Sequence, residues 1–122
     1  FMAVPPNLAR QIKPLLAYYG ATDIPVYATS MVFSGIVNSH LDKDLDGIIF
    51  CDMNAVFANN GHPVARLYAF GADTYFLANH LAALTAGTPI NGNTGQLYLD
   101  NTHQVKRQLT LGIFRDGVPV PA

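Results

Sequence analysis

Leu45-Asp46-Gly47-Ile48-Ile49-Phe50-Cys51-Asp52-Met53 is the stretch on which the fold turns. Ile48 to Cys51 is an unbroken apolar run with Gly47 before it and Asp52 after it. That is the pattern of a central strand in a parallel sheet with helices over both faces. The segments before it agree. Ile24 to Ser30, Ile-Pro-Val-Tyr-Ala-Thr-Ser, reads as the preceding strand, and Phe1 to Val4 as a shorter one stopped by Pro5-Pro6, which cannot continue a ladder but can open a helix. In between, Leu8, Ile12, Leu15, Leu16 and Tyr19 recur every three to four residues and define one apolar helix face. Pro14 predicts a kink or weak turn there, and Gly20 a C-terminal stop. Strand, helix, strand and strand again imply right-handed crossovers and a parallel sheet.

Between the last two strands, Met31 to Val37 reads as a short helix or turn and Asn38 to Asp46 as a polar connection. Beyond Met53, Asn54 to Pro63 reads as irregular, and a long helix is expected from about Val64 to Leu84. Its buried face would carry Leu67, Phe70, Thr74, Leu77, Leu81 and Leu84, with Thr85-Ala86-Gly87 ending it. The tail then turns β-rich: Gly95 to Leu99, Lys106 to Arg115 and Val118 to Val120 surround the turn dipeptides Asp100-Asn101 and Asp116-Gly117. It reads as an antiparallel hairpin appended to the α/β unit.

Half of the 122 residues are hydrophobic and only 12% are charged, whereas about a quarter is usual. So much apolar surface, in a chain opening at Phe1-Met2-Ala3-Val4 inside an expected strand, predicts a piece of a larger domain. Seven Lys and Arg against eight Asp leave a net charge of -1 with no basic stripe, which argues against nucleic-acid binding. No apolar run reaches the roughly 18 to 20 residues of a membrane span. The lone Cys51 has no internal disulfide partner, and its apolar flanks predict a buried structural thiol.

No catalytic motif withstands inspection. Asp42-Lys43-Asp44-Leu45-Asp46-Gly47 fits the first six positions of a calcium loop, yet the twelfth, where a bidentate Glu belongs, is Met53. A solvated turn before the strand is the expected reading. His40, His62, His80 and His103 are too scattered for a zinc pattern, and no nucleophile elbow surrounds Ser30, Ser34 or Ser39. Neither a metal nor a cofactor is expected. Gly92-Asn93-Thr94-Gly95 lacks the lysine of a phosphate loop and reads as a turn. Asp73, alone in an apolar helix, is expected to hydrogen-bond a neighbouring loop. Position supplies one further candidate set: ligands of open parallel sheets gather beyond the carboxyl ends of the strands, which makes Thr29, Ser30 and Asp52 the cleft-lining candidates.

Two resemblances attach to these segments. The tail, Asn91 to Asp100 and then Phe114 to Val120, resembles the final hairpin of type I periplasmic-binding-protein-like domains, and Gly71-Ala72-Asp73-Thr74-Tyr75 resembles the helix that precedes it there. More specifically, the chain resembles the C-terminal domain of the penicillin-binding protein activator lipoproteins, the LpoA or LppC family. The likeness rests on Ala9 to Pro14, Ile24 to Ser30, Asp44 to Gly47 with Phe50 to Met53, and Arg66 to Gly71, and it spans nearly the whole chain in order. Members of that family usually carry a further helical stretch between the Cys-Asp-Met and Arg-Leu-Tyr motifs, where this chain has only Asn54 to Ala65.

The resemblance implies a periplasmic-binding-protein-like α/β fold: a parallel sheet with flanking helices and a C-terminal antiparallel hairpin, forming part of a two-lobed domain. Residues 1–53 would belong to one lobe, 64–85 to the other, and 91–122 to the hinge and return. It further implies a non-enzymatic, periplasmic regulator of peptidoglycan synthesis, tied to the outer membrane by a lipid anchor outside these residues and stimulating a class A penicillin-binding protein by direct contact. The alternative is a solute-binding or sensor domain closing on a small molecule. Such a binder should converge charged and hydroxyl groups at its strand ends, where only Thr29, Ser30 and Asp52 are available.

Overall fold

A computed structural model describes residues 1–58 and 62–122. The chain runs α1 (Pro6–Tyr18), β1 (Val26–Ala28), α2 (Ser39–Asp42), β2 (Ile48–Asp52), α3 (Asn54–Ala58), α4 (Ala65–Asn79), α5 (Leu81–Thr85), β3 (Ile90–Asn91), β4 (Gln96–Leu99), β5 (Val105–Gln108), β6 (Thr110–Arg115) and β7 (Val118–Pro121). Single 3-10 turns at Ser30–Val32 and Lys43–Leu45 connect the first strands and helices.

The principal sheet has the order β1-β2-β6-β7. β1 and β2 are parallel, with Tyr27 beside Ile49, as the strand-helix-strand order requires. The tail completes this same sheet rather than hanging beside it: β6 lies antiparallel to β2 and β7 antiparallel to β6. The Lys106 to Arg115 stretch, read as one strand, is therefore two. It breaks at Leu109, and its first half, β5, joins a separate antiparallel sheet of order β3-β4-β5. The β6–β7 turn has positive φ at both Asp116 (52°) and Gly117 (72°), which twists it to match the strands.

The expected first strand shrinks to one bridge, Met2 beside Ala28, with Met2 N–H donating to the Tyr27 carbonyl at 2.7 Å. Pro5 and Pro6 then start α1 at once, and the helix continues through Pro14. Its inward line is Ala9, Ile12 and Leu16; Leu8, Leu15 and Tyr19, expected on the same face, are exposed. Ala9 is small enough to let the helix axis approach the sheet, which selects its stripe over the bulkier one. Asn38 to Asp46, read as a polar connection, and Asn54 to Pro63, read as irregular, contain α2 and α3; residues 59–61 of the second stretch lie outside the described residues. In α2 the Asn38 side chain accepts from Leu41 N–H, an N-cap that periodicity does not reveal.

The core lies on one face of the principal sheet only. Val26, Ala28, Ile48, Phe50 and Phe114 meet Ala9, Val32, Phe33 and Leu45 there. Phe50 and Phe114 stack with centroids 5.1 Å apart, and Phe33 meets Phe114 edge-on at 5.9 Å. Each such ring contributes on the order of 2 to 3 kcal/mol by leaving water. β2 alternates accordingly: Ile48, Phe50 and Asp52 are buried, whereas Cys51 is exposed together with Tyr27 and Leu111. The expectations of a strand covered on both faces and of a buried thiol are both corrected. Among the described residues nothing packs over Cys51, Tyr27 and Leu111 on that face.

The long helix also departs from its expected pattern. α4 buries Ala65, Ala69 and Asp73 and exposes Leu67, Phe70 and Thr74, while α5, separated from it at His80, exposes Leu81 and buries Leu84. α4 is apolar nearly all round, so periodicity alone cannot choose its inward side. Two charged side chains, Arg66 and Asp73, make that choice.

Candidate functional site at the strand ends

β1 and β2 deliver their carboxyl ends to one place, as parallel neighbours must. Past β1 come Thr29 and Ser30; at the end of β2 stands Asp52, only 2% exposed. A carboxylate so removed from water needs compensating donors and charge. Its own strand supplies one, as Met53 N–H donates to Asp52 Oδ1 at 2.8 Å. Arg66, in the first turn of α4, supplies the rest: Nε lies 3.1 Å from Oδ1 and 3.2 Å from Oδ2, and Nη2 lies 2.5 Å from Oδ2. The same Nη2 donates to the Phe33 carbonyl at 3.0 Å and the Ser30 carbonyl at 3.3 Å, and the guanidinium carbon stands 6.0 Å from the centre of the Phe33 ring.

Of the three cleft candidates, Ser30 and Asp52 are thus drawn together, both through Arg66. Ser30 contributes its backbone oxygen rather than its hydroxyl. Thr29 Oγ1 is buried and has no hydrogen-bond partner among the described residues. Arg66 itself escaped sequence reasoning as a site residue. The available signal was that one of only seven cations in the chain opens an otherwise apolar helix.

A second polar cluster joins α4 to the 92–95 turn. Asp73 Oδ1 accepts from Asn93 N–H (2.8 Å) and Asn93 Nδ2 (3.1 Å), and Oδ2 from Thr94 N–H (2.8 Å) and Thr94 Oγ1 (2.6 Å). Burial pushes the Asp73 carboxyl up, but these donors, with Thr94 Oγ1 foremost, outweigh it and hold the group below the ordinary aspartate range. The turn reading of Gly92 to Gly95 and the loop-bonding reading of Asp73 both hold: Gly92 N–H closes the turn onto the Gly95 carbonyl at 2.9 Å. An open cavity of about 330 Å³ adjoins this cluster, lined by Tyr75, Phe76 and Asn91 among others. It offers no free carboxylate oxygen, because both oxygens of Asp73 are already engaged.

The carboxylates of the 42–47 segment diverge instead of gathering around a cation. Asp42 binds Arg10, and Asp46 Oδ1 accepts from Gly117 N–H at 2.8 Å. Among the described residues, no three of the His, Cys, Asp and Glu side chains are grouped to hold a metal, and no helix is long and apolar enough to cross a membrane. His80 stacks on Phe76, their ring centres 3.9 Å apart, and His62 Nδ1 accepts from Val64 N–H at 3.4 Å. Both are engaged locally.

Comparison with known proteins gives a concordant result. The family model described as "LppC putative lipoprotein" matches residues 1–117. A curated relative, the penicillin-binding protein activator LpoA of Klebsiella pneumoniae, is 28% identical over 138 aligned positions, covering 99% of this chain and 20% of its own length. The Escherichia coli K12 protein of the same name is 27% identical over the same shares. The chain therefore spans about a fifth of the length of these relatives. The alignments are longer than the chain itself, so the relatives carry insertions that it lacks. Among solved structures, the C-domain of LpoA (YraM) from Haemophilus influenzae, described as a regulator of PBP1A, superposes with a TM-score of 0.80 at 24% identity, over 98% of this chain and 43% of that one. A protein from Chromobacterium violaceum, described as "a putative branched-chain amino acid ABC transporter", gives a TM-score of 0.67 at 30% identity, over 92% of this chain and 41% of that one. Both share the periplasmic-binding-protein-like α/β fold.

Proposed function

The chain belongs to the LppC lipoprotein family, and from that premise we propose that it forms part of a non-enzymatic regulator of peptidoglycan synthesis that stimulates a class A penicillin-binding protein by direct contact. One observation carries this reading: the family match runs in order through almost every element, and the curated relatives that share it are named as penicillin-binding protein activators. The same reading puts the full-length protein in the periplasm, held at the outer membrane by a lipid anchor outside these residues.

The strand ends support an activator over a solute binder. A solute-binding cleft needs polar groups free to meet its ligand. Here the Asp52 carboxylate and the Ser30 carbonyl are committed to Arg66. The lobe division follows as part of the proposal: residues 1–53 in one lobe, 64–85 in the other, and 91–122 as hinge and return. Strand pairing bears on the last segment: β6 and β7 share a sheet with β1 and β2 of the proposed first lobe, while β3 to β5 form a sheet of their own.

A solute-binding role is the second reading, favoured by the likeness to the Chromobacterium violaceum protein at 30% identity. The test pairs a pull-down and polymerase-rate assay, using the full-length protein and a class A penicillin-binding protein from the same cell, with a thermal-shift screen of amino acids and small peptidoglycan fragments. Stimulation of the synthase without a ligand-induced shift supports the activator. A shift of several degrees with one small molecule, and no effect on the synthase, overturns it in favour of the solute binder.

A further inference from the structure

We propose that Arg66 is a built-in occupant of the strand-end cleft: a tethered guanidinium that fixes the start of α4 against the principal sheet, so that the two keep one relative placement without any solute. The inference concerns the cleft alone and does not depend on the identity of a protein partner.

Two segments, each distant from Arg66 in sequence, converge on this one side chain. Asp52 comes from the end of β2, and the Ser30 and Phe33 carbonyls come from the turn after β1, 36 and 33 positions from Arg66. Each is an acceptor, and together they carry one full negative charge. That donor-hungry, anionic pocket suits a planar cation with several N–H groups in a fixed fork, which is what a guanidinium offers and an ammonium does not. The pocket lies beyond the carboxyl ends of two parallel strands, where folds of this class receive ligands. Here the protein fills the place with its own side chain.

The contacts also account for the orientation of α4. Its inward residues next to Arg66 are Ala65 and Ala69, which bury little apolar area and hold a helix only weakly by packing. The fork of Arg66 at one end and the four bonds of Asp73 in the middle therefore set its position. Asp73 ties α4 to the turn before β4, whereas only Arg66 among these two reaches the principal sheet. Removing the fork should free α4, and the turn it carries, to move relative to that sheet. It should also leave a vacancy shaped and charged for a free guanidinium-type cation.

The test uses the full-length protein with Cys51 replaced by serine and spin labels on cysteines introduced at Gln11, exposed on α1, and Ala78, exposed on α4. Pulsed dipolar spectroscopy then reads the distance between the sheet-bound helix and α4. A single narrow distribution is expected with Arg66 present, and a broadened or shifted one for Arg66→Ala. Millimolar methylguanidinium should restore the narrow distribution in Arg66→Ala and leave the parent unchanged. Leu45→Ala serves as a control that weakens the core away from the cleft; it should lower Tm and keep the narrow distribution. If Arg66→Ala does not fold, Arg66→Lys carries the test, because it keeps the charge and loses the fork and should broaden the distribution. A distribution as narrow in these Arg66 variants as in the parent, or equal broadening in Leu45→Ala, overturns the proposal, as does a broadened Arg66→Ala that methylguanidinium leaves unchanged. Failure of the partner reading would leave these distances untouched.

Discussion

Arg10 and Asp42, 32 positions apart, are joined by Arg10 Nε at 3.0 Å and Nη2 at 2.6 Å from Asp42 Oδ1. The pair ties α1 to α2. Asp42 is 1% exposed, whereas the Arg10 side chain keeps 24% of its surface in water, so the two ends of the pair are not equivalent. Deleting the arginine strands a buried carboxylate; deleting the carboxylate leaves a cation that can turn outward. Arg10→Ala is expected to lose about 3 kcal/mol, the lower end for breaking a buried pair, and Asp42→Asn about 1 kcal/mol. Chemical denaturation of both variants decides it, and equal losses would refute the asymmetry.

Two glycines separate backbone strain from crowding. Gly20 and Gly117 both have left-handed φ, 80° and 72°. A Cβ on Gly20 would meet nothing within 4 Å, whereas one on Gly117 would run into the carbonyl of Ser39. Gly20→Ala is expected to cost about 1 kcal/mol, the conformational penalty alone. Gly117→Ala should cost more, about 2 to 4 kcal/mol, because the β6–β7 turn must also move away from α2. Denaturation midpoints of the two variants provide the measurement, and a Gly117→Ala loss no larger than that of Gly20→Ala would remove the crowding contribution.

Much of this architecture was legible in the sequence, and the exceptions have physical causes. Ile48 to Asp52 marked β2 because a short apolar run between Gly47 and a polar residue has few other uses. Asp116-Gly117 marked the hairpin because both residues tolerate positive φ. The second face of the sheet was misjudged at Cys51, since an apolar residue in a strand carries no sign of whether anything packs on it. The helical stretch expected over Val64 to Leu84 is present but divides at His80, and α4 turns a different face inward. A leucine stripe is the usual guide to an inward face, and here the guide is the pair of charges at Arg66 and Asp73. At the strand ends, position alone pointed to Thr29, Ser30 and Asp52, two of which Arg66 draws together. It could not find Arg66, which reaches them from a different element.

The loop between β4 and β5 supplies a prediction in acid. Asp100 Oδ1 accepts from Thr102 Oγ1 at 2.7 Å, from Gln104 N–H at 2.9 Å and from Thr102 N–H at 2.9 Å, and Lys106 lies 3.5 Å from Oδ2. With the Thr102 hydroxyl foremost, these hold the Asp100 carboxyl down at about 2. Because the folded value lies below the unfolded one, the loop keeps this anchoring above the ordinary aspartate range and loses it as pH falls through about 2. A carboxyl-detected NMR titration should show that midpoint. In Thr102→Ala the midpoint should rise toward the ordinary aspartate value of about 3.9, and an unmoved midpoint would count against the hydroxyl as the principal cause.

Asp73 predicts a dependence of the same sign, because its buried carboxylate gathers four donors from Asn93 and Thr94. Asparagine at this position has one acceptor oxygen in place of two, and its amide would point N–H groups at N–H donors. Asp73→Asn is therefore expected to lose about 2 to 4 kcal/mol, as charge-assisted bonds disappear and buried donors go unmet. The sign in acid follows from the lowered value: the unfolded chain takes up the proton first, so the contribution of Asp73 is complete above the ordinary aspartate pKa of about 3.9 and declines as pH falls through the folded value below it. Denaturation of parent and Asp73→Asn across that window tests both statements. The stability gap should be widest near neutrality and narrow on acidification, and a gap that stays constant down to the acid limit would mean that the charge of Asp73 has no part in holding the turn.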